Sequence, residues 1–135
     1  MSVVFALATP PAKSAICIFR VSGPGCHKGL KLLTNKSVFE HGRFFLSSIF
    51  DKGSLVDRAG LVVFEGPNSY TGEDSFEVYA HGGLGVMASM VSAFKGVGFD
   101  GAAPGGFTKR AFLNKKITVN EAESVADLID ATDER

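Results

Sequence analysis

Apolar positions first recur every second residue and later every three or four, and the switches between these periods predict the elements. Residues 3–8 (VVFALA) predict a first strand, closed by the Pro10-Pro11 pair. Residues 15–21 (AICIFRV) predict a second, with Ile16, Ile18 and Arg20 on one face and Cys17, Phe19 and Val21 on the other. Apolar residues on both faces predict a central strand covered on both sides. Ser22-Gly23-Pro24-Gly25 breaks it, and Leu30 and Leu33 fall at helical spacing within a helix predicted over 27–33. Residues 43–50 and 60–64 predict two further strands, with Asp51-Lys52-Gly53-Ser54 as the turn of a hairpin.

A strand over 76–80 follows, and Gly82-Gly83 leads into a helix over 84–94 on which Leu84, Met87, Val91 and Phe94 recur at helical intervals. Gly96 is its predicted stop. Residues 98–106 are glycine-rich and predicted irregular, and 107–113 predict a short helix. Thr118 and Glu121 have the spacing of a capping box that opens a last helix to about residue 131. On it Ala122, Val125, Ala126 and Ile129 form an apolar stripe widened by Leu128. Such a stripe must lie on a sheet, on a second copy or on a further domain. The expected fold class is α/β (α+β), a small mixed sheet with flanking helices.

At 135 residues the chain is one domain by the usual size prior. Fourteen basic residues balance fourteen acidic ones, so a general electrostatic grip on nucleic acid is not expected. The one dense basic cluster is Lys109, Arg110, Lys115 and Lys116. Cys17 lies in an apolar run and Cys26 in a Gly/Pro loop, which favours reduced thiols over a disulfide framework. No basic stretch precedes an apolar core at the N-terminus, and no apolar run approaches spanning length, so the expectation is a soluble, cytoplasmic protein without a membrane partner.

Candidate chemistry concentrates in residues 66–83, GPNSYTGEDSFEVYAHGG, a strand between two glycine-bearing polar loops. No G-x-x-x-x-G-K-[ST] occurs, so no P-loop can be drawn. Residues 96–101 match G-x-G-x-x-G and 83–88 its G-x-G-x-x-A variant. The first match follows a helix, and the second opens onto no continuing βαβ unit, so tight turns are favoured over a dinucleotide site. Arg20 ends an apolar strand and needs an anionic partner: a structural salt bridge, with Glu77 a candidate, or a ligand carboxylate or phosphate. Glu77 shares a strand face with Ser75 and Tyr79 and either meets solvent or accepts paired hydrogen bonds from an amino-amidine edge such as a pterin's. Lys116, beside Lys115, has solvated surface as its plainer reading. His81 has no second ligand at metal spacing and reads as a turn histidine. No catalytic triad or metal site is recoverable.

ATPP (8–11), AICIFRVSG (15–23), GPNSYTGED (66–74), HGG (81–83), PGGFTKRAFLNKK (104–116) and EAESVADLIDATDE (121–134) occur in that order. Together they resemble the N-terminal part of the MnmE (TrmE) family of tRNA modification GTPases, across essentially the whole chain. The resemblance implies an N-terminal domain over 1–118 that binds a 5-formyl-tetrahydrofolate-type cofactor and forms homodimers. Its fold would be like the folate-binding part of the glycine-cleavage aminomethyltransferase. Residues 119–135 would begin a helical domain. It also implies action with an MnmG-type partner on the wobble uridine of tRNA. GTP, magnesium and potassium would belong to a GTPase domain that these residues lack, so no GTP hydrolysis is expected from them alone. The family's folate-contacting residues correspond to Arg20, Glu77 and Lys116. Glu77 would take the pterin edge, and Arg20 and Lys116 the carboxylate tail or formyl oxygen. Residues 102–107 (AAPGGF) depart from the family's ARPGEF-like loop at Ala103 and Gly106. Two rival readings are a stand-alone folate-dependent one-carbon transferase, with Asp74 or Asp100 as general acid or base, and a structural dimerisation module without cofactor.

Overall fold

A computed structural model describes residues 2–118, 120 and 121. Six strands and three helices follow in the order β1 (Val4–Leu7), β2 (Ile16–Ser22), α1 (Cys26–Thr34), β3 (Phe45–Asp51), β4 (Ser54–Phe64), β5 (Ser75–His81), α2 (Leu84–Gly96), β6 (Asp100–Gly101) and α3 (Gly106–Leu113). The strands form one sheet, ordered β3-β4-β5-β2-β1-β6. Its pairs are antiparallel except β1–β6, so the sheet is mixed, as expected.

The period-2 rule assigns the faces. Cys17, Phe19 and Val21 of β2 join Phe76, Val78 and Ala80 of β5 and Ala59, Leu61 and Val63 of β4 in the core. Leu30 and Leu33 of α1 and Met87, Met90 and Phe94 of α2 complete it. Phe94 touches Phe5, Phe19, Phe76 and Phe99 at ring-centroid distances of 5.2–6.4 Å, an aromatic cluster that closes the helix-covered side. Leu84 is instead exposed at the start of α2, so the buried stripe there is Met87, Met90 and Phe94.

The opposite face corrects the expectation of a strand covered on both sides. Register sets Val62, Glu77, Arg20 and Ala6 in one row across the sheet, and Leu46, Gly60, Tyr79 and Ile18 in the next. At the Ser22 end this face is covered by loops and α3. At the other end it is open, with Ile16 55% and Leu46 55% exposed. β2 is therefore central but only partly sandwiched.

The hairpin turn forms as expected: Lys52 and Gly53 have φ of 49° and 84°, the pair of positive values that a two-residue type I′ loop requires. β4 begins six residues earlier than the predicted 60, and the predicted irregular segment contains β6. The capping box also forms, with Thr118 N–H donating to Glu121 Oε1 and Glu121 N–H to Thr118 Oγ1, each at 3.1 Å. The apolar stripe expected at Ala122, Val125, Ala126, Leu128 and Ile129 lies outside the described residues.

Candidate ligand-binding site

The partly covered face of the sheet is the floor of a cavity of about 1080 Å³. Ala6, Arg20, Ser22, Ser75 and Glu77 lie on that floor, residues 68–71 form one wall, and residues 102–108 form the other. The volume suits a ligand of cofactor size. Apolar and aromatic groups, among them Phe64, Tyr70 and Phe107, dominate the lining, and Arg20 and Glu77 supply its charge.

Cross-strand register brings those two charges together. Arg20 of β2 stands directly opposite Glu77 of β5, and Arg20 Nε donates to Glu77 Oε2 at 2.9 Å. Tyr79, two residues along the same face, donates its hydroxyl to Glu77 Oε1 at 3.0 Å. Burial, followed by the Glu77 carboxylate, holds the Tyr79 phenol above its ordinary range, so it remains a donor. Among the described residues only Nε of the Arg20 guanidinium is engaged, and 60% of the side chain is exposed. Its Nη groups are available to an anion. Each Glu77 oxygen accepts one of these hydrogen bonds and retains a lone pair for a further donor.

The first wall is held by its own polar groups. Gly66 N–H donates to Asp74 Oδ1 at 2.9 Å, the Ser69 hydroxyl donates to the Glu73 carbonyl, and the Gly66–Pro67 peptide is cis. α3 ties the second wall to it. Asn114 Nδ2 donates to the Thr71 carbonyl at 3.0 Å, and the Tyr70 and Thr108 hydroxyls meet at 3.2 Å. Beneath them Arg110 Nη1 reaches both oxygens of Glu73, at 3.1 and 3.3 Å, with side-chain exposures of 11% and 6%. The Ser22 hydroxyl bridges Glu73 Oε1 at 3.1 Å and Thr71 Oγ1 at 2.7 Å. Among the described residues no buried side-chain nitrogen or oxygen lacks a partner.

Two of the three predicted site residues thus share the cavity. Lys116 is exposed and outside its lining, and its methylenes lie against Gly72, beside the wall residues Ser69–Thr71. Arg110 is a correction: its guanidinium is largely enclosed against Glu73 and leaves the basic cluster to Lys109, Lys115 and Lys116. Sequence reasoning missed Glu73 and Thr71, from the loop between β4 and β5, and Ser22, from the end of β2. Both departures, Ala103 and Gly106, line the cavity. His81 ends β5 rather than sitting in a turn, and Asp57 accepts from its backbone N–H at 2.9 Å and lies 2.8 Å from its Nδ1. Among the described residues no group of three potential ligands could hold a metal, and no helix is long and apolar enough to cross a membrane. The glycines of the G-x-G-x-x-A match connect β5 to α2, and both neighbours of β5 are antiparallel to it, unlike a dinucleotide-binding unit.

A mixed sheet with two helices on its core face, and a charge pair on the floor of a cavity on the other, defines a small α/β domain. Residues 3–116 match the family described as the GTP-binding protein TrmE N-terminus. The chain belongs to that family. It is 42% identical over 132 residues to a tRNA modification GTPase MnmE of Phenylobacterium zucineum, covering 97% of this chain and 29% of that protein. It is 43% identical over 135 residues to the protein of that name from Thermotoga maritima, covering 99% and 30%. The Bordetella avium protein of the same name is 37% identical over 135 residues, covering 97% and 30%. The chain spans about 30% of the length of the curated relatives it matches.

Proposed function

We propose that this domain binds a reduced folate of the 5-formyl-tetrahydrofolate type and forms homodimers, as the N-terminal part of a GTPase that modifies the wobble uridine of tRNA with an MnmG-type partner. One observation carries the reading: Arg20 and Glu77 meet on the floor of a cofactor-sized cavity. An exposed ion pair contributes only about 0–1 kcal/mol to stability, so folding alone gives little reason to set two charges in a row otherwise made of Val62 and Ala6. A folate gives both charges a use. The amino-amidine edge of its pterin donates two hydrogen bonds to a carboxylate, and its anionic tail suits the free guanidinium nitrogens. Phe64, Tyr70 and Phe107 supply apolar surface for the ring system. Lys116 would contribute from the neighbouring loop. The cofactor would bring a one-carbon unit, while these residues bind and orient it.

Dimerisation draws support from the open end of the sheet, where Ile16, Phe44 and Leu46 are each more than half exposed. Cofactor-free dimerisation is the second reading, favoured by Ala103 and Gly106, which bring no charge to the wall they line. Titrating isotope-labelled protein with 5-formyl-tetrahydrofolate separates the two. Folate binding requires saturable amide shifts at residues 68–71 and 102–108, and their absence would leave only dimerisation. Sedimentation velocity across a concentration series decides the dimer, which a monomer mass throughout would exclude.

A further inference from the structure

The buried cluster behind the cavity has no role in the reading above. Glu73, Arg110, Ser22 and Thr71 come from a loop, α3 and the end of β2, so they join three chain segments at one point. Ser22 and Thr71 line the cavity, whereas Glu73 and Arg110 stand directly behind them. We propose that Glu73 and Arg110 are positioning residues: their ion pair fixes the spacing between the wall at 68–71 and the wall at 102–108, and hence the shape of the cavity. The inference rests on the folate reading only where folate affinity is its readout.

The physical reason lies in what a buried pair supplies. Apolar residues of similar volume stabilise a fold as well as a buried ion pair or better, so net stability is a weak account of this one. Geometry is the stronger account. One guanidinium nitrogen reaches both Glu73 oxygens, and the same Nη1 lies 3.4 Å from the Ser22 carbonyl. The Ser22 hydroxyl then links Glu73 to Thr71, and Asn114 of the same helical segment holds the Thr71 carbonyl. A network satisfied at every member admits one arrangement, whereas an apolar contact tolerates sliding. The Tyr70–Thr108 contact spans the same two walls but joins an exposed tyrosine, so the buried pair is the firmer tie.

The test compares the wild-type chain with the double variant Glu73→Leu, Arg110→Met by melting temperature, amide hydrogen exchange and 5-formyl-tetrahydrofolate titration. The expected result is a melting temperature that holds or rises, with faster exchange confined to residues 68–72 and 102–106. If the competent wall spacing falls to about a tenth of the population, folate affinity falls about tenfold. Unchanged exchange in those walls overturns the proposal. So does a uniform rise across the β2 and β5 amides with a lower melting temperature, the signature of a purely structural role. Unchanged affinity in a variant whose walls exchange faster overturns it as well. If the wild-type chain binds no folate, the functional reading fails and the exchange pattern alone decides the positioning role. Should the double variant not fold, Arg110→Lys keeps the charge but ends one bond short of Nη1, the nitrogen that reaches Glu73, and the same localised rise in exchange is expected, with no rise contradicting it.

Discussion

Burial decides how reactive the two cysteines are. Cys17 and Cys26 are both free and fully buried. Burial pushes the Cys26 thiol up to about 12, and the nearby Asp74 and Glu73 carboxylates add to it. Burial also raises Cys17. The unfolded Cys26 thiol titrates near 9.0, so above that pH the unfolded chain releases a proton that the folded chain retains. Its contribution to stability is therefore complete below 9.0 and is lost as pH rises towards about 12. The slope approaches about 1.4 kcal/mol per pH unit for one thiol. Melting temperature should fall across that window in the wild-type chain and fall less in Cys26→Ala. Equal slopes would show that this thiol is not protected. The same scale exposes a limit of sequence reasoning. Arg110 lies one residue from Lys109 and reads as part of a basic cluster, and only the fold reveals Glu73, 37 positions away, as its partner.

Elements with a strong period were legible, and those set by a neighbour were not. The alternation of β2 and the paired leucines of α1 name their faces correctly. Residues 54–59 of β4 lack clean alternation, since Leu55 is exposed and Asp57 and Arg58 follow. They are strand because β3 pairs with them through the Lys52-Gly53 turn. β6 has two residues and exists because Asp100 and Ala102 donate to the Val3 and Phe5 carbonyls. The end of α2 shows a subtler shift. Gly98, not Gly96, is the stop: its φ is 91°, its N–H donates to Lys95, and the Phe99 N–H donates to Phe94, the two bonds of a Schellman motif. Phe99 stacks on Phe94 across it. Two nearby glycines separate close approach from mere flexibility. A Cβ on Gly82 would collide with the Ser14 carbonyl oxygen, whereas one on Gly85, inside α2, meets nothing within 4 Å. Gly82→Ala should cost about 1–3 kcal/mol in urea unfolding. Gly85→Ala should add about 0.5–1 kcal/mol, as expected for alanine over glycine in a helix. A neutral Gly82→Ala would contradict the packing of the β1–β2 loop against residue 82.

Across the whole molecule, Arg20 and Glu77 were legible as charges in otherwise apolar strands, and register explains why they meet. The cavity was not legible, because its walls are two irregular glycine-bearing segments that α3 draws together over one face of the sheet. Lys116 illustrates the difference: the family resemblance implied a folate contact while its own residues read as solvated surface, and it is exposed beside Gly72, outside the lining. The family match covers residues 3–116, which include the described floor and both walls. The most direct measurement is the dissociation constant of 5-formyl-tetrahydrofolate for Glu77→Gln beside the wild-type chain, with unfolding free energies determined on both. Glu77 as the pterin's partner predicts about tenfold or greater weakening, about 1.4 kcal/mol or more, while stability changes by less than about 1 kcal/mol. Equal affinities for the two proteins would contradict it.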